Sequence, residues 1–347
     1  MADTLSEIFR DQPAHVHRIL PLDFDAVETV PDSHRWADNK FERQDMVQVP
    51  VIDLEAPDLS ILLGTKCEAF GVVQVVNHGI PIHVLEDVEN ETKKLFSLPA
   101  RQKLKTLRSP SGAAGYGVAR IAPFFDKYMW HEGFTLIGSA MDHARLLWPH
   151  DYLSFCEVMV DYQERMRDIV STLLSAILQY LRMSDEDEEE EAEWLRAAQL
   201  ASPALQLNSY PSCPDPSGAM GLAPHTDTSL LTVLHQNGVA GLEIFRDDVG
   251  WIPVRPRRGA LVVNVGDLLH ILSNGRLPSV VHRVVMEVAR KQRLSVAYFA
   301  GLPMGVDLYP IGLGPERVPK YRKVSVAEYA RIKATVHDKA LSVISMY

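Results

Sequence analysis

The sequence predicts a mainly β fold with flanking α-helices, the β part forming a sandwich or barrel. Three observations carry this. Seven short apolar runs follow one another at 205–207, 230–234, 241–245, 251–254, 260–265, 279–285 and 294–299, separated by Gly, Pro, Asn and Asp. Strands at such spacing suit a sandwich or a barrel, and a jelly roll of two facing sheets is one such solution that also hosts metal sites. A stretch at 154–183 instead repeats apolar residues near helical spacing, among them Met159, Met166, Val170, Leu173, Ile177 and Leu181. The last forty residues return to a helical pattern through Val326, Tyr329, Ile332 and Val336.

Taken in order, residues 1–46 read as an irregular extension, because Pro13, Pro21 and Pro31 interrupt any long helix. Residues 49–54 and 72–76 read as short strands. Residues 86–107 are amphipathic, with a break forced at Pro99. An acidic run at 185–191 is expected to close the 154–183 helix as a solvated end. The expected organisation is an extension (1–46), a region of strands and helices (47–198), a β-rich catalytic domain (199–303) and a helical C-terminal segment (304–347).

Composition bounds the function. The 347 residues are 46% apolar, enough for a large core. A formal net charge of −10 argues against nucleic-acid partners, which ask for a basic face. No apolar stretch reaches the roughly 18–20 residues of a membrane span, and the polar start lacks the pattern of a secretion signal. Three cysteines, Cys67, Cys156 and Cys213, suit a reducing compartment. The cytoplasm is therefore expected, with the nucleus as an additional compartment.

The chemistry lies in His225, Asp227 and His282, followed by Arg293 and Ser295. Two imidazoles and one carboxylate can hold a divalent metal from one side, the facial triad of non-haem Fe(II) oxygenases. A lone His-x-Asp is a weak signal. The ordered set is not: His282 comes 55 residues after Asp227, and Arg293 another 11 on. His225 and Asp227 share a face if locally extended, as do Arg293 and Ser295. A guanidinium forks onto a carboxylate, a hydroxyl adds a second donor, and Tyr210 offers a phenol. This describes a clamp for one end of a dicarboxylate whose other end chelates iron, and 2-oxoglutarate fits it. Segments 279–285 and 293–299 are expected to form an antiparallel hairpin, in which His282 and Arg293 both face the interior only if opposed residues have an odd index sum, as with His282 opposite Ser295. His78, His235 and His270 read as structural.

These residues resemble the plant 2-oxoglutarate- and Fe(II)-dependent dioxygenases over almost the whole chain. The matching motifs include Asn77-His78-Gly79-Ile80-Pro81, Asn208-Ser209-Tyr210-Pro211, His225-Thr226-Asp227, Asn264-Val265-Gly266-Asp267 and His282-Arg283-Val284. The resemblance implies a double-stranded β-helix, a cupin-like jelly roll with a helical N-terminal region. It implies Fe(II) on His225, Asp227 and His282, 2-oxoglutarate on Arg293, Ser295 and Tyr210, O2 as co-substrate, and ascorbate as a supporting reductant.

Within that family, Gly115-Tyr116-Gly117-Val118-Ala119-Arg120-Ile121 and Met129-Trp130-His131-Glu132-Gly133-Phe134-Thr135 are similar to the gibberellin 3-oxidases. That implies a gibberellin partner, a rigid diterpenoid acid, hydroxylated at carbon 3 on the β face. Expected pocket walls are Tyr116, Ile121, Phe124, Phe125, Met129, Trp130 and Phe134, with Arg120 and Lys127 as carboxylate partners. His131, Pro224 and His235 depart from the usual serine, alanine and tyrosine, and His131 and Pro224 are expected near the substrate. Three rivals stay open here: an oxidase of different regiochemistry or one taking flavonoids, a zinc hydrolase on the same ligands, and a non-catalytic gibberellin-binding protein.

Overall fold

The computed structural model describes residues 22, 24, 27–36, 46–109, 112–181, 188–287, 291–311 and 318–347. Most of the 1–46 extension and the first part of the acidic run lie outside the described residues. The first half of the chain contains β1 (Val51–Asp53), α1 (Leu59–Phe70), β2 (Val72–Val76), α2 (Ile82–Phe96) and α3 (Ala100–Lys103). It continues through β3 (Gly115–Gly117), β4 (Glu132–Ile137), α4 (Met141–Leu147), α5 (Leu153–Leu181) and α6 (Glu188–Leu200). The second half runs β5 (Ala204–Tyr210), β6 (Met220–His225), β7 (Leu231–Gln236), β8 (Leu242–Arg246), β9 (Gly250–Pro253) and β10 (Leu261–Val265). Then come α7 (Asp267–Leu272), β11 (His282–Val285), β12 (Arg293–Ala300), α8 (Val326–Val336) and α9 (Ala340–Ile344).

Local chemistry accounts for the boundaries. Pro99 caps α3 just beyond the end of α2, so the amphipathic stretch is two helices rather than one. The acidic run does not simply close α5. Its last residues open α6, where carboxylates suit the positive end of a helix dipole. In α5 the periodic residues Met159, Met166, Val170, Leu173, Ile177 and Leu181 are all buried.

Twelve strands make two facing sheets, one of eight in the order β1-β2-β10-β7-β12-β5-β4-β3 and one of four in the order β6-β11-β8-β9. This is the jelly roll. Strands before residue 199 extend the large sheet at both edges, so the 47–198 region is built into the catalytic sheet.

Alternation along β12 sorts the core. Leu294, Val296 and Tyr298 face the helix layer and join α1, α2 and α5 in the larger apolar cluster. Ala297 faces the other way, into a cluster between the sheets with Tyr210, Leu242, Ile244 and Val284.

The expected hairpin does not form. β11 pairs with β6 and β8 in the small sheet, whereas β12 pairs with β5 and β7 in the large one. The chain crosses between sheets after β11, so His282 and Ser295 belong to different ladders. Their side chains still converge, because the two sheets present their inner faces to each other.

Candidate metal centre and anion clamp

His225 ends β6 and His282 begins β11, and the two stand directly opposite each other in the antiparallel pair. Two successive register shifts follow immediately in that ladder. Such irregularities re-aim side chains and are common beside functional sites. The imidazole rings lie 4.2 Å apart, centroid to centroid. Asp227 follows two residues after His225, with its Oδ1 3.8 Å from His225 Nε2 and 3.7 Å from His282 Nε2. These separations are too long for hydrogen bonds. They are within the about 4.2 Å that two donors, each about 2.1 Å from one ion, can span.

The tautomers are set by backbone carbonyls. His225 Nδ1 lies 2.8 Å from Ala223 O and His282 Nδ1 3.2 Å from Val280 O. A carbonyl only accepts, so each Nδ1 carries the hydrogen and each Nε2 turns a lone pair toward the centre. Burial pushes His225 down to about 3, so it is neutral near pH 7. Burial acts to raise the Asp227 carboxyl, but the His282 and His225 imidazoles hold it below its ordinary value. Asp227 Oδ2 is buried without a hydrogen-bond partner among the described residues. Imidazole nitrogens aimed inward beside an unsatisfied carboxylate oxygen fit a divalent ion.

The loop carrying Asp227 is held from behind. The Asp267 backbone N–H donates to Asp227 O at 2.8 Å, and that of Gly266 to Leu230 O at 2.9 Å. A Cβ on Gly266 would stand 2.0 Å from Ser229 O, so only glycine permits this approach. Lys333 of α8 donates to Asp267 Oδ2 at 2.8 Å and also to Thr226 Oγ1, between the two triad members. Sequence reasoning missed Lys333. No local pattern announces that a helix a hundred residues later docks on this loop.

Across the gap, β12 presents Arg293 and Ser295 toward the small sheet. Arg293 is buried and directly opposite Tyr210 of β5, with its guanidinium 4.9 Å over the phenol ring. The Tyr210 hydroxyl bonds with Ser295 and Arg293. Arg293 Nη2 donates to Gln236 Oε1 at 3.0 Å and Nη1 approaches Ser295 Oγ at 3.4 Å, while Nε is buried without a partner among the described residues. Burial, the main influence on this guanidinium, weakens its hold on its proton. A buried cation with an unspent donor is a receptor for an anion. Gly241 closes against β11 here, where an added Cβ would stand 2.6 Å from Val285 O. Its φ of 148° suits glycine alone, and an added Cβ would stand 3.4 Å from Arg293 Cδ.

The remaining expected residues divide. Tyr116 and Phe134 lie on the helix-facing side of the large sheet, in the larger core cluster, so they do not line the interior. Alternation decides this: the interior positions of β4 belong to Gly133 and Thr135, the partners of Asn208 and Gln206. The Tyr116 hydroxyl donates to Glu132 Oε1 at 2.6 Å, and Lys103 bonds the same oxygen at 2.5 Å. Trp130 is fully buried, its indole N–H donating to Pro211 O at 3.1 Å, so it is a packed core residue rather than a free wall. Lys127 is exposed and donates to Asp32 O at 2.9 Å. Ile121, Phe125 and Met129 do gather near the centre, in a small apolar cluster with Met220, Ala223 and Val285.

Of the departures, His131 sits beside the clamp. Its Nε2 is 2.9 Å from Asn208 Oδ1, and the Asn208 amide reaches Ser295 Oγ at 3.5 Å. His235 points the other way, 3.5 Å from Glu89 of α2. Arg120 is exposed and donates to Ala113 O. Beside it lies Arg108, unmentioned by any motif, buried and bonded to Thr135 Oγ1 at 3.0 Å and Val118 O at 3.2 Å. Burial, with the Arg120 charge, lowers Arg108 to about 9.

Known proteins bear on this geometry. Residues 201–301 match the 2OG-Fe(II) oxygenase superfamily, and residues 49–152 match the N-terminal region described as non-haem dioxygenase in morphine synthesis. Gibberellin 3-beta-dioxygenase 1 of Pisum sativum is 47% identical over 99% of this chain and 94% of its own length. The chain belongs to the 2OG-Fe(II) oxygenase superfamily. Gibberellin 3-beta-dioxygenase 1 of Arabidopsis thaliana is 44% identical, over 99% of this chain and 98% of its own. Among solved structures, JOX2 in complex with 2OG, Fe and JA superposes with a TM-score of 0.79 at 25% identity, covering 93% of this chain and 95% of the other. The rice dioxygenase for auxin oxidation gives 0.71 at 26% identity, covering 86% and 100%. As an oxygenase of this superfamily, the chain is an Fe(II)- and 2-oxoglutarate-dependent dioxygenase. Among the described residues no helix is long and apolar enough to cross a membrane.

Proposed function

We propose that this chain hydroxylates gibberellins at carbon 3 on the β face. The observation that carries the substrate is the likeness, at 42–47% identity, to five relatives named gibberellin 3-beta-dioxygenase. In this reading His225, Asp227 and His282 would hold Fe(II). Arg293, Ser295 and Tyr210 would hold the distal carboxylate of 2-oxoglutarate. Bound there, the metal and 2-oxoglutarate supply the oxidising power to insert one atom of O2 into an unactivated C–H bond, as 2-oxoglutarate becomes succinate and CO2.

The protein's own part is placement. The triad would hold the metal from one side and leave the other open. Arg293, reaching from the opposite sheet, fixes which way the dicarboxylate lies. Ile121, Phe125 and Met129 offer an apolar wall to a rigid hydrocarbon skeleton, and Arg120, with Arg108 beside it, offers charge to the carboxylate. Regiochemistry then follows from which C–H bond the wall holds nearest the metal. The cytoplasm is the proposed compartment, supported by three buried and unpaired cysteines.

The test is incubation of the enzyme with Fe(II), 2-oxoglutarate, ascorbate and a gibberellin lacking the 3-hydroxyl. Mass spectrometry against standards should find the 3β-hydroxylated product and stoichiometric succinate. A product hydroxylated elsewhere, or no product, overturns the reading.

A further inference from the structure

The end of α8 brings a further polar group against Phe124 and Phe125. His337 follows α8 directly, with its backbone N–H still bonded to Lys333 O. The residue is only 8% exposed, and its Nε2 is buried without a hydrogen-bond partner among the described residues. An unsatisfied buried polar atom costs about 1–3 kcal/mol. Its backbone adds to that cost, at φ 53° and ψ −112°, a conformation that a residue other than glycine rarely takes. Asp338 does not relieve the ring, standing 4.0 Å from Nδ1 and exposed.

The ring packs against the expected substrate wall. Its centroid is 4.7 Å from that of Phe124 and 5.7 Å from that of Phe125, the latter edge-on. Phe125 belongs to the apolar cluster around Ala223, whose carbonyl orients His225. The helix is also pinned to the metal loop one turn earlier, where Lys333 holds Asp267 and Thr226. Two aromatic rings, one tilted and one edge-on, and an anchored helix flank this imidazole, with one nitrogen unspent.

We propose that His337 is a specificity-determining residue whose Nε2 forms a hydrogen bond with an oxygen substituent of the substrate. This rests on the substrate reading above and deepens it. The wall recognises the hydrocarbon skeleton, and His337 recognises where an oxygen lies on it. Burial lowers its basicity, so a neutral ring makes the contact. Neutral imidazole offers one donor or one acceptor at Nε2, which suits a hydroxyl, a lactone carbonyl or a carboxyl oxygen.

The test compares wild type with His337→Phe, which keeps the ring stack, and His337→Gln, which keeps a side-chain amide. Gibberellin affinity is measured by calorimetry on enzyme holding Fe(II) and 2-oxoglutarate without oxygen, alongside KM and kcat. His337→Phe should weaken gibberellin binding about tenfold, leave the KM for 2-oxoglutarate unchanged, and add side products. His337→Gln should recover part of the loss. A panel lacking the hydroxyl, the lactone or the free carboxyl then identifies the partner, because the analogue missing it should lose nothing further in His337→Phe. Equal gibberellin affinity in wild type and His337→Phe overturns the proposal. Loss of both gibberellin and 2-oxoglutarate binding also overturns it, since that marks a structural residue. If wild type itself does not turn over gibberellin, the substrate reading fails instead.

Discussion

Arg293 and Tyr210 face each other across the β5–β12 ladder, and the guanidinium lies 4.9 Å over the phenol ring with its Nε unspent. Both residues are buried and paired in the ladder. In the proposed reading a dicarboxylate arriving here would meet a preformed fork.

Arg293→Lys keeps the charge and loses the fork. The KM for 2-oxoglutarate should rise about tenfold or more, because a point charge cannot make two parallel bonds to a carboxylate. The KM for gibberellin should stay within about twofold. Steady-state kinetics with each substrate varied in turn separates these outcomes.

His131 makes stability depend on pH. Burial lowers it to about 4 from an ordinary value of 6.5. Between those values the unfolded chain binds a proton that the folded chain does not, so stability falls as pH falls. The whole effect is on the order of 3 kcal/mol. Thermal unfolding of wild type and His131→Ser from pH 7 to pH 4 should show wild type losing more on acidification. Parallel curves would remove His131 from this account.

Lys333 acts through Asp267, which holds the Asp227 carbonyl. Lys333→Met should weaken Fe(II) affinity by about tenfold, the scale at which outer contacts tune a metal site. Competition with a chelator measures it, and an unchanged affinity would show that α8 does not support the triad.

The small sheet has its own buried ion pair. Arg283 Nε donates to Glu243 Oε2 at 2.7 Å, and the Arg283 guanidinium stacks 3.9 Å from the Trp251 ring centroid. Glu243→Gln leaves a buried cation poorly compensated and should cost about 3 kcal/mol of folding stability. Chemical denaturation followed by circular dichroism reads this directly.

Much of this was legible in the chain. Strands β7 to β12 announce themselves as apolar runs between turn residues, and α5 as a repeat of buried positions, because burial imposes those periods. The groupings of His225, Asp227 and His282 and of Arg293, Ser295 and Tyr210 were visible because the chemistry expected of them restricts residue type. Sheet membership was not. The expected hairpin of His282 with Ser295 failed because two strands adjacent in sequence went to opposite sheets, a choice made by long-range packing. Tyr116 and Phe134 were misplaced for a related reason: their faces were set by the pairing of β3 with β4 and of β4 with β5, which short glycine-containing strands do not reveal. Gln236 and Lys333 escaped notice because each reaches the site from a distant element.

The most direct test of the central claim is Fe(II) stoichiometry in wild type and Asp227→Ala, measured anaerobically with 2-oxoglutarate present. Wild type should hold one ion per chain and the variant essentially none, with succinate release falling to background. A variant that still binds one Fe(II) and still releases succinate at the wild-type rate would contradict a centre built on His225, Asp227 and His282.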